Sequence, residues 1–330
     1  MPLRVPLIGS DPQTGRFEAT FPTPPLRLVP QRRLGDGANR LVLADNLAFL
    51  RTLPDDSIGL VYIDPPFATG ARRTSPRTTA AFSDDWAAPK PSSNSSFVIR
   101  HSSLCPPSLA PRPSPLSLEA YLGWLNARLF EIRRVLRPTA TLYVHLDWHA
   151  VHYVKVELDK LFGGGEHFRN EIVWHYNSGP RRKTDFGRRH DLILRYTTTD
   201  RYTFNPDAVR QPYSPDINVP ACKRHYYNPL GKVMDDVWRI PILPQNDHTE
   251  RLGYPTQKPE ALLDLIVRAS SNEGDLVADF FCGSGTTLAV AARLGRRWIG
   301  CDSNPDAIAL TARRLSAPLR GAAGFVLETS

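Results

Sequence analysis

The chain has no apolar run long enough to cross a bilayer. Nowhere in its 330 residues do 18 apolar residues follow one another, and a spanning helix needs about 20. No membrane association is expected. Nor does it start with a charged stretch followed by an apolar one, so no secretory signal is expected. Cysteine is scarce: Cys105, Cys222, Cys282 and Cys301 stand apart without CxxC spacing. That argues against a zinc site or a disulfide framework and fits a reducing, cytoplasmic setting. His145, His149 and His152 straddle a strand end and a helix start, so they need not converge, and no metal is expected. Acidic residues are in deficit, 33 Asp/Glu against 41 Lys/Arg, for a net charge of +8.

What is present is unevenly placed. Residues 177–232 hold eleven Lys/Arg and five Asp/Glu, so 11 − 5 = +6 sits in one sixth of the chain. Such a segment is the footprint of a polyanion binder; a solvated arginine-rich surface is the other reading. Residues 1–36 hold seven prolines and read as an extended arm. Residues 68–117, with eight prolines and eleven serines, make a connection too long for an ordinary loop and are expected to be mobile.

Between these segments, strands alternate with helices. Leu41–Ala44 and Ile58–Ile63 read as strands around a short helix, Asn46–Leu53. Leu118, Tyr121, Leu122, Leu125, Leu129, Ile132 and Leu136 mark an amphipathic helix. Further strands are read at 141–146, 171–176, 192–196, 276–280 and 297–301. Further helices are read at 150–162, 259–269, 286–294 and 305–315. The alternation predicts an α/β fold with a doubly wound, mainly parallel sheet.

Two motifs carry chemistry. Asp279-Phe280-Phe281-Cys282-Gly283-Ser284-Gly285-Thr286-Thr287 places a glycine-rich turn between a strand and a helix. There the backbone can approach a ligand closely, and the helix offers free N–H groups. Seventeen residues after Gly285 the next strand ends at Asp302, where an acid can accept hydrogen bonds from ribose hydroxyls. The third glycine of the dinucleotide fingerprint is missing, which disfavours a pyrophosphate ligand. The other motif, Asp64-Pro65-Pro66-Phe67, ends the apolar strand 58–63. Asp64 can accept one N–H of an exocyclic amine, the Pro65 carbonyl the other, and Phe67 can stack on a flat base; Pro66 stiffens the turn.

Together these residues resemble the amino-methyltransferases of DNA, and the order of the motifs, base pocket first, resembles their circularly permuted β class. Tyr254-Pro255-Thr256-Gln257-Lys258-Pro259 matches that family's segment upstream of the cofactor loop. The resemblance spans residues 41–315 and implies a Rossmann-like, circularly permuted domain with a small target-recognition insert. It implies S-adenosyl-L-methionine as cofactor, held by 279–287 and Asp302, with Thr256 and Lys258 near its methionine end. Lys258 could pair with the cofactor's carboxylate. Asp45, at a neighbouring strand end, is read either as a contact to cofactor or base or as a helix cap.

The implied substrate is double-stranded DNA with a flipped-out base. Cytosine C5 chemistry is disfavoured, because no cysteine preceded by proline is present: Cys105 precedes prolines, and Cys282 lies in the cofactor loop. Asp64 with Phe67 favours adenine N6 as target, with cytosine N4 as the alternative. A catalytically silent DNA-binding subunit is the alternative of another class. Arg181, Arg182, Lys183, Arg188 and Arg189 are expected on phosphates. Residues 205–250, with Lys223 and Arg224 in 223–228, are expected to read the target sequence. Tyr143 and Trp148 are read either as core aromatics or as walls of the base pocket. The expected layout is an arm (1–36), a catalytic half (37–204), the recognition region (205–250), a cofactor half (251–317) and a tail (318–330). A cognate restriction endonuclease and a homodimer are open as partners.

Overall fold

The computed structural model describes residues 7–11, 14–18, 21–34, 39–66, 72–75, 78–83, 115–178, 183–213, 227–247, 249–316 and 324–330. In chain order the first elements are β1 (Val29–Leu34), β2 (Asn39–Leu43), α1 (Asn46–Leu50) and β3 (Ile58–Ile63). They are followed by β4 (Arg72–Ser75), β5 (Thr78–Ser83), α2 (Pro115–Val135), β6 (Leu136–Leu146), α3 (Val151–Leu161), β7 (Phe168–His175) and β8 (His190–Thr197). After a 3₁₀ turn come β9 (Arg210–Gln211), β10 (Lys232–Val233) and β11 (Val237–Arg239). The last elements are α4 (Glu260–Ser270), β12 (Leu276–Asp279), α5 (Thr286–Arg293), β13 (Arg297–Asp302), α6 (Pro305–Leu315) and β14 (Phe325–Thr329).

Ten of the described strands form one sheet in the order β1-β14-β2-β13-β12-β3-β6-β8-β7-β11. From β14 to β6 every neighbour is parallel, while β8 runs antiparallel to both β6 and β7. Alternation along the strands explains the two layers of helices. On β3, Val61 and Ile63 face a core built with α1, α2 and α3. Leu60 and Tyr62 face the opposite core, built with α4, α5 and α6. All six β3 residues are buried, as expected of a parallel strand covered on both faces.

The middle of the sheet is where the chain changes direction. β12 pairs with β3 through Val277↔Leu60 and Ala278↔Val61. The chain runs on from β12 to β13 on one side and from β3 to β6 on the other. Adjacent strands leading away in opposite directions open a crevice at their carboxyl ends, where α/β sheets bind ligands. Asp64 and Asp279 arrive at this edge side by side. Because β8 is antiparallel, its start, His190-Asp191, reaches the same edge.

The periodic elements agree with the sequence reading to within a few residues at their ends. The C-terminus differs from it. The segment expected as a tail contains β14, which lies between β1 and β2. Phe325 is buried against Trp298, with ring centroids 5.5 Å apart, and Arg40 pairs with Glu328 at 2.8 Å. Five residues, three of them apolar, carry too little pattern to announce a strand. The described part of the arm packs against the core. Phe17 is buried beside Leu47 and Ala127, and the Ile8 N–H donates to Glu157 Oε2 at 2.9 Å. Within 68–117, 72–75 and 78–83 pair as an antiparallel hairpin; the mobility expected there lies mostly outside the described residues. In 205–250, β11 joins the main sheet beside β7.

Candidate active site at the sheet switch point

The glycine loop is held by side chains rather than by packing alone. Asp279, buried at the end of β12, accepts from the Thr287 hydroxyl (2.6 Å) and the Phe281 N–H (3.0 Å). Burial raises its pKa to about 7, against the pull of those two donors and with Asp64 and Asp302 adding to the rise. Gly283 and Gly285 have φ of +48° and +72°, a region open to glycine at little cost. A Cβ on Gly285 would come within 2.5 Å of Thr311 Cγ2. Asp302 ties the loop to β13: its Oδ2 accepts from the Gly283 N–H at 2.9 Å and its Oδ1 from the Asn304 N–H at 2.9 Å. Burial raises the Asp302 pKa, while these backbone donors oppose the rise. Arg314 of α6 closes the arrangement, donating to Ser284 O, Thr286 Oγ1 and Glu260 Oε1.

A cavity of about 340 Å³ lies over this loop, lined by Phe280, Phe281, Cys282, Gly283, Ser284, Thr286 and Asp302. Its volume falls at the lower end of the range for small-molecule sites. Asp45 sits on its rim but is already committed. Asp45 caps α1, accepting from the Leu47 and Ala48 N–H groups, and pairs with Arg128 Nη2 at 2.8 Å. The helix cap of its two readings is seen directly, and Asp45 also lines the cavity. Arg128 lies over the Trp124 ring at 4.0 Å, and its own burial lowers its pKa to about 10.

A second, larger cavity of about 930 Å³ opens beside the first. Five residues line both: Asp64, Pro66, Tyr254, Thr256 and Lys258. The shared wall is therefore made of the Asp64–Pro66 turn and the 254–258 segment, brought from distant parts of the chain. Lys258 Nζ donates to Asp64 Oδ2, joining them directly. Asp64 Oδ1 is buried and has no hydrogen-bond partner among the described residues. A buried carboxylate oxygen in that condition is costly, and it is an acceptor awaiting a donor. Pro65 is buried behind it. Phe67 lies outside the described residues.

The remainder of the larger cavity is built from β7, β8 and the segments around them. Trp174, Tyr176, His190 and Asp191 line one side, Pro241 to Gln245 another, and Trp148 with Arg188 the mouth. Trp148 is 46% exposed, with the Arg188 guanidinium 4.1 Å over its ring. Tyr143 instead lies in the core, sharing a hydrogen bond with Ser270 Oγ at 2.8 Å. Lys183 and Arg188 are exposed and Arg189 half-buried. Arg181, Arg182, Lys223 and Arg224, like Cys105, lie outside the described residues. Sequence reasoning did not single out Asp191, Tyr176 or Trp174. Their signal is positional: each ends or begins a strand at the carboxyl edge, and no local pattern marks it. Among the described residues no group of three or more His, Cys, Asp or Glu side chains is placed to hold a metal.

Residues 58–313 match the family model for the N6/N4 DNA methylases. The chain belongs to that family. Two relatives agree. It is 30% identical to the type II methyltransferase M.HpaI of Haemophilus parainfluenzae, over 86% of this chain and 76% of the relative. It is also 30% identical to the DNA adenine methyltransferase YhdJ of Escherichia coli K12, over 86% of this chain and 84% of the relative. The fold is shared with the cytosine-N4-specific PvuII DNA methyltransferase, with a TM-score of 0.58, 17% identity, and coverage of 88% of this chain and 92% of that one. It is shared too with a DNA modification methylase of Thermus thermophilus complexed with S-adenosyl-L-methionine (TM-score 0.52, 22% identity, 88% and 97% covered). In this N6/N4 methylase, the Asp64–Pro66 turn and the 254–258 segment meet on one wall.

Proposed function

We propose that this DNA methylase transfers the methyl group of S-adenosyl-L-methionine to the exocyclic N6 of adenine in a short duplex sequence, after flipping the base into the larger cavity. The observation that carries the reading is Asp64, standing between the two cavities with one carboxylate oxygen held by Lys258 and the other unsatisfied. The motif order, base pocket before cofactor loop, supports membership of the circularly permuted β class. The adenine assignment is supported by an Asp in this position and by the relative named for adenine.

The residues present fit the cofactor. The smaller cavity offers the Gly283–Thr286 backbone and Phe281 for a nucleoside, Asp302 for ribose hydroxyls, and Thr256 with Lys258 at the opposite end. When bound, S-adenosyl-L-methionine supplies an electrophilic methyl group. The chain's own residues place the nucleophile. Asp64 Oδ1 accepts one amine N–H, and the Pro65 carbonyl accepts the other. The nitrogen lone pair, otherwise delocalised into the ring, is then aimed across the shared wall. Asp64 is next to the amine as its proton is shed. Phe67 stacks on the base, and flipping is required because a paired base cannot enter such a cavity. Arg188 neutralises a phosphate at the mouth, and Lys183, Arg189, Arg181, Arg182, Lys223 and Arg224 neutralise others along the duplex.

The test is direct. Unmethylated plasmid DNA is incubated with the purified chain and methyl-labelled S-adenosyl-L-methionine, then hydrolysed to nucleosides and analysed by mass spectrometry. Labelled N6-methyladenine is the expected product. Labelled N4-methylcytosine would move the chain to the family's other branch, and no label would leave a DNA-binding subunit.

A further inference from the structure

The connection between β7 and β8 stands at the rim of the larger cavity, and both of its feet line that cavity. Asn177 and Ser178 do so where the chain leaves β7, Arg188 and His190 where it returns to β8. The Tyr176 N–H donates to the Arg189 carbonyl at 2.9 Å and closes the ladder at the base of the connection. The returning half reads Lys183-Thr184-Asp185-Phe186-Gly187-Arg188-Arg189. In its middle Phe186 is 92% exposed, more than any other large apolar side chain among the described residues.

A single exposed apolar residue is ordinary on a protein surface, so the setting of Phe186 decides its meaning. Lys183 and Arg188 are exposed and Arg189 is half-buried, against one acid, Asp185, whose Oδ1 accepts from the Phe186 N–H at 2.8 Å. An aromatic tip among cations suits a polyanion that also carries planar apolar faces, and nucleic acid has both. The tip is held from behind. The Arg188 guanidinium lies 4.1 Å over the Trp148 ring, Trp148 stacks on His149 at 3.7 Å, and His149 Nδ1 is 2.6 Å from Asp147 Oδ2. Asp147 is buried directly after the end of β6. Two residues span at most about 7 Å, so Phe186 cannot stray far from an arginine that lines the entrance.

We infer that Phe186 is a wedge: when the target base leaves the duplex for the larger cavity, the phenyl ring enters the gap and stacks on the bases left behind. The inference rests on the base-flipping reading of the site. Unstacking and unpairing a base is costly, and an apolar side chain placed between base steps offsets part of that cost. Labour is then divided along one short segment. Lys183, Arg188 and Arg189 hold phosphates of any duplex, whereas the ring acts only where a base has been displaced. Phe186 touches neither the amine nor the cofactor in this scheme, so it is a positioning residue.

The experiment uses the full chain. The methylated site is located by sequencing plasmid DNA that the parent has modified. It is then carried on two synthetic duplexes, one fully paired and one with the target base opposite a mismatched partner. Phe186→Ala should lower kcat/KM about tenfold on the paired duplex, as for loss of one base–aromatic stack. On the mispaired duplex, whose target base is already cheaper to flip, the loss should stay under about threefold. Phe186→Leu, which can still fill a gap, should recover most of the activity. Thermal melting of these variants should match the parent, because the ring is exposed. Equal losses on both duplexes would make Phe186 an ordinary contact, and no loss on either a bystander; each result overturns the wedge. A second readout is independent of turnover. The indole introduced by Phe186→Trp is followed as the difference from the parent, with S-adenosylhomocysteine present. It should lose emission and be shielded from acrylamide on the paired site-bearing duplex, yet stay accessible on a random duplex at saturation. An indole accessible on the site, or shielded alike on both duplexes, overturns the insertion. Failure of the parent to methylate DNA overturns the base-flipping reading and the wedge with it, whereas a methylating parent with any of the contrary results above overturns the wedge alone.

Discussion

The two cavities are built by different means. The smaller one is built over the glycine loop, whose backbone and hydroxyl side chains are locked by Asp279, Asp302, Thr311 and Arg314, each tied to the loop through a named hydrogen bond. The larger one is walled mainly by side chains from residues 147–149, β7, β8 and the 241–245 and 254–258 segments, Trp148, Trp174, Tyr176 and Tyr254 among them. A ligand that never changes can be served by a fixed backbone shape. A pocket that must select one base and one sequence has to be written in side chains. The difference predicts where substitutions act: on cofactor affinity and loop order on one side, on turnover and DNA binding on the other.

The largest expected effect is at the shared wall. Asp64→Ala should lower methyl transfer at least 10²–10³-fold, the scale of losing a group that stabilises the reacting centre. Cofactor affinity by calorimetry should stay within about threefold. Near-parental turnover would take Asp64 out of the mechanism.

On the cofactor side, Asp302→Ala should weaken S-adenosyl-L-methionine binding by about ten- to hundredfold, through lost ribose contacts and a freed Gly283 N–H. Its kcat at saturating cofactor should change far less. An unchanged dissociation constant would place the cofactor elsewhere.

Asp279 makes the same side sensitive to pH. Its folded pKa, about 7, lies above the unfolded value. The folded state therefore binds the proton more tightly, and the stability this provides is complete below about pH 4 and lost as pH rises through 7. Asp279→Asn removes that dependence. Relative to the parent it should gain stability between pH 4 and pH 7, by up to about 4 kcal/mol at 1.36 kcal/mol per pKa unit, set against the cost of one replaced acceptor. Urea melts at both pH values give the comparison, and parallel curves would count against a protonated Asp279.

The smallest effect belongs to the mouth of the larger cavity. Arg188→Ala should weaken cognate and random duplexes alike and reduce the salt slope of binding by up to about 0.9, the value for one phosphate contact. Titrations at several salt concentrations with both duplexes test it. A loss limited to the cognate duplex would show that Arg188 reads bases instead.

Legibility in the sequence follows the same division. The glycine loop, Asp302 and Asp64–Pro66 could be read because contiguous residues in a strand–turn–helix context state their own geometry. Long helices such as α2 were legible from their period. β14 was not: its register comes from β1 and β2, and five residues hold too little pattern to reveal distant partners. The Lys258–Asp64 pair was not legible either, since it joins residues 194 positions apart. Asp191 follows a basic run and begins a strand that looks ordinary, and its importance appears only when the antiparallel direction of β8 brings it to the carboxyl edge.

The central pairing of β12 with β3 has a kinetic consequence. Strand β3, formed early in synthesis, waits for a neighbour some 215 residues downstream, and β2 waits for β13 and β14. Closing such distant contacts is slow, because ordering entropy is lost before the contacts form. The shared wall between the two cavities is thus among the last parts of the molecule to exist. A ribosome-bound chain that has exposed Asp64 but not yet released the 254–302 segment has half of the shared wall and none of the glycine loop, so on the proposed function methylation can begin only after the sheet is joined across its middle.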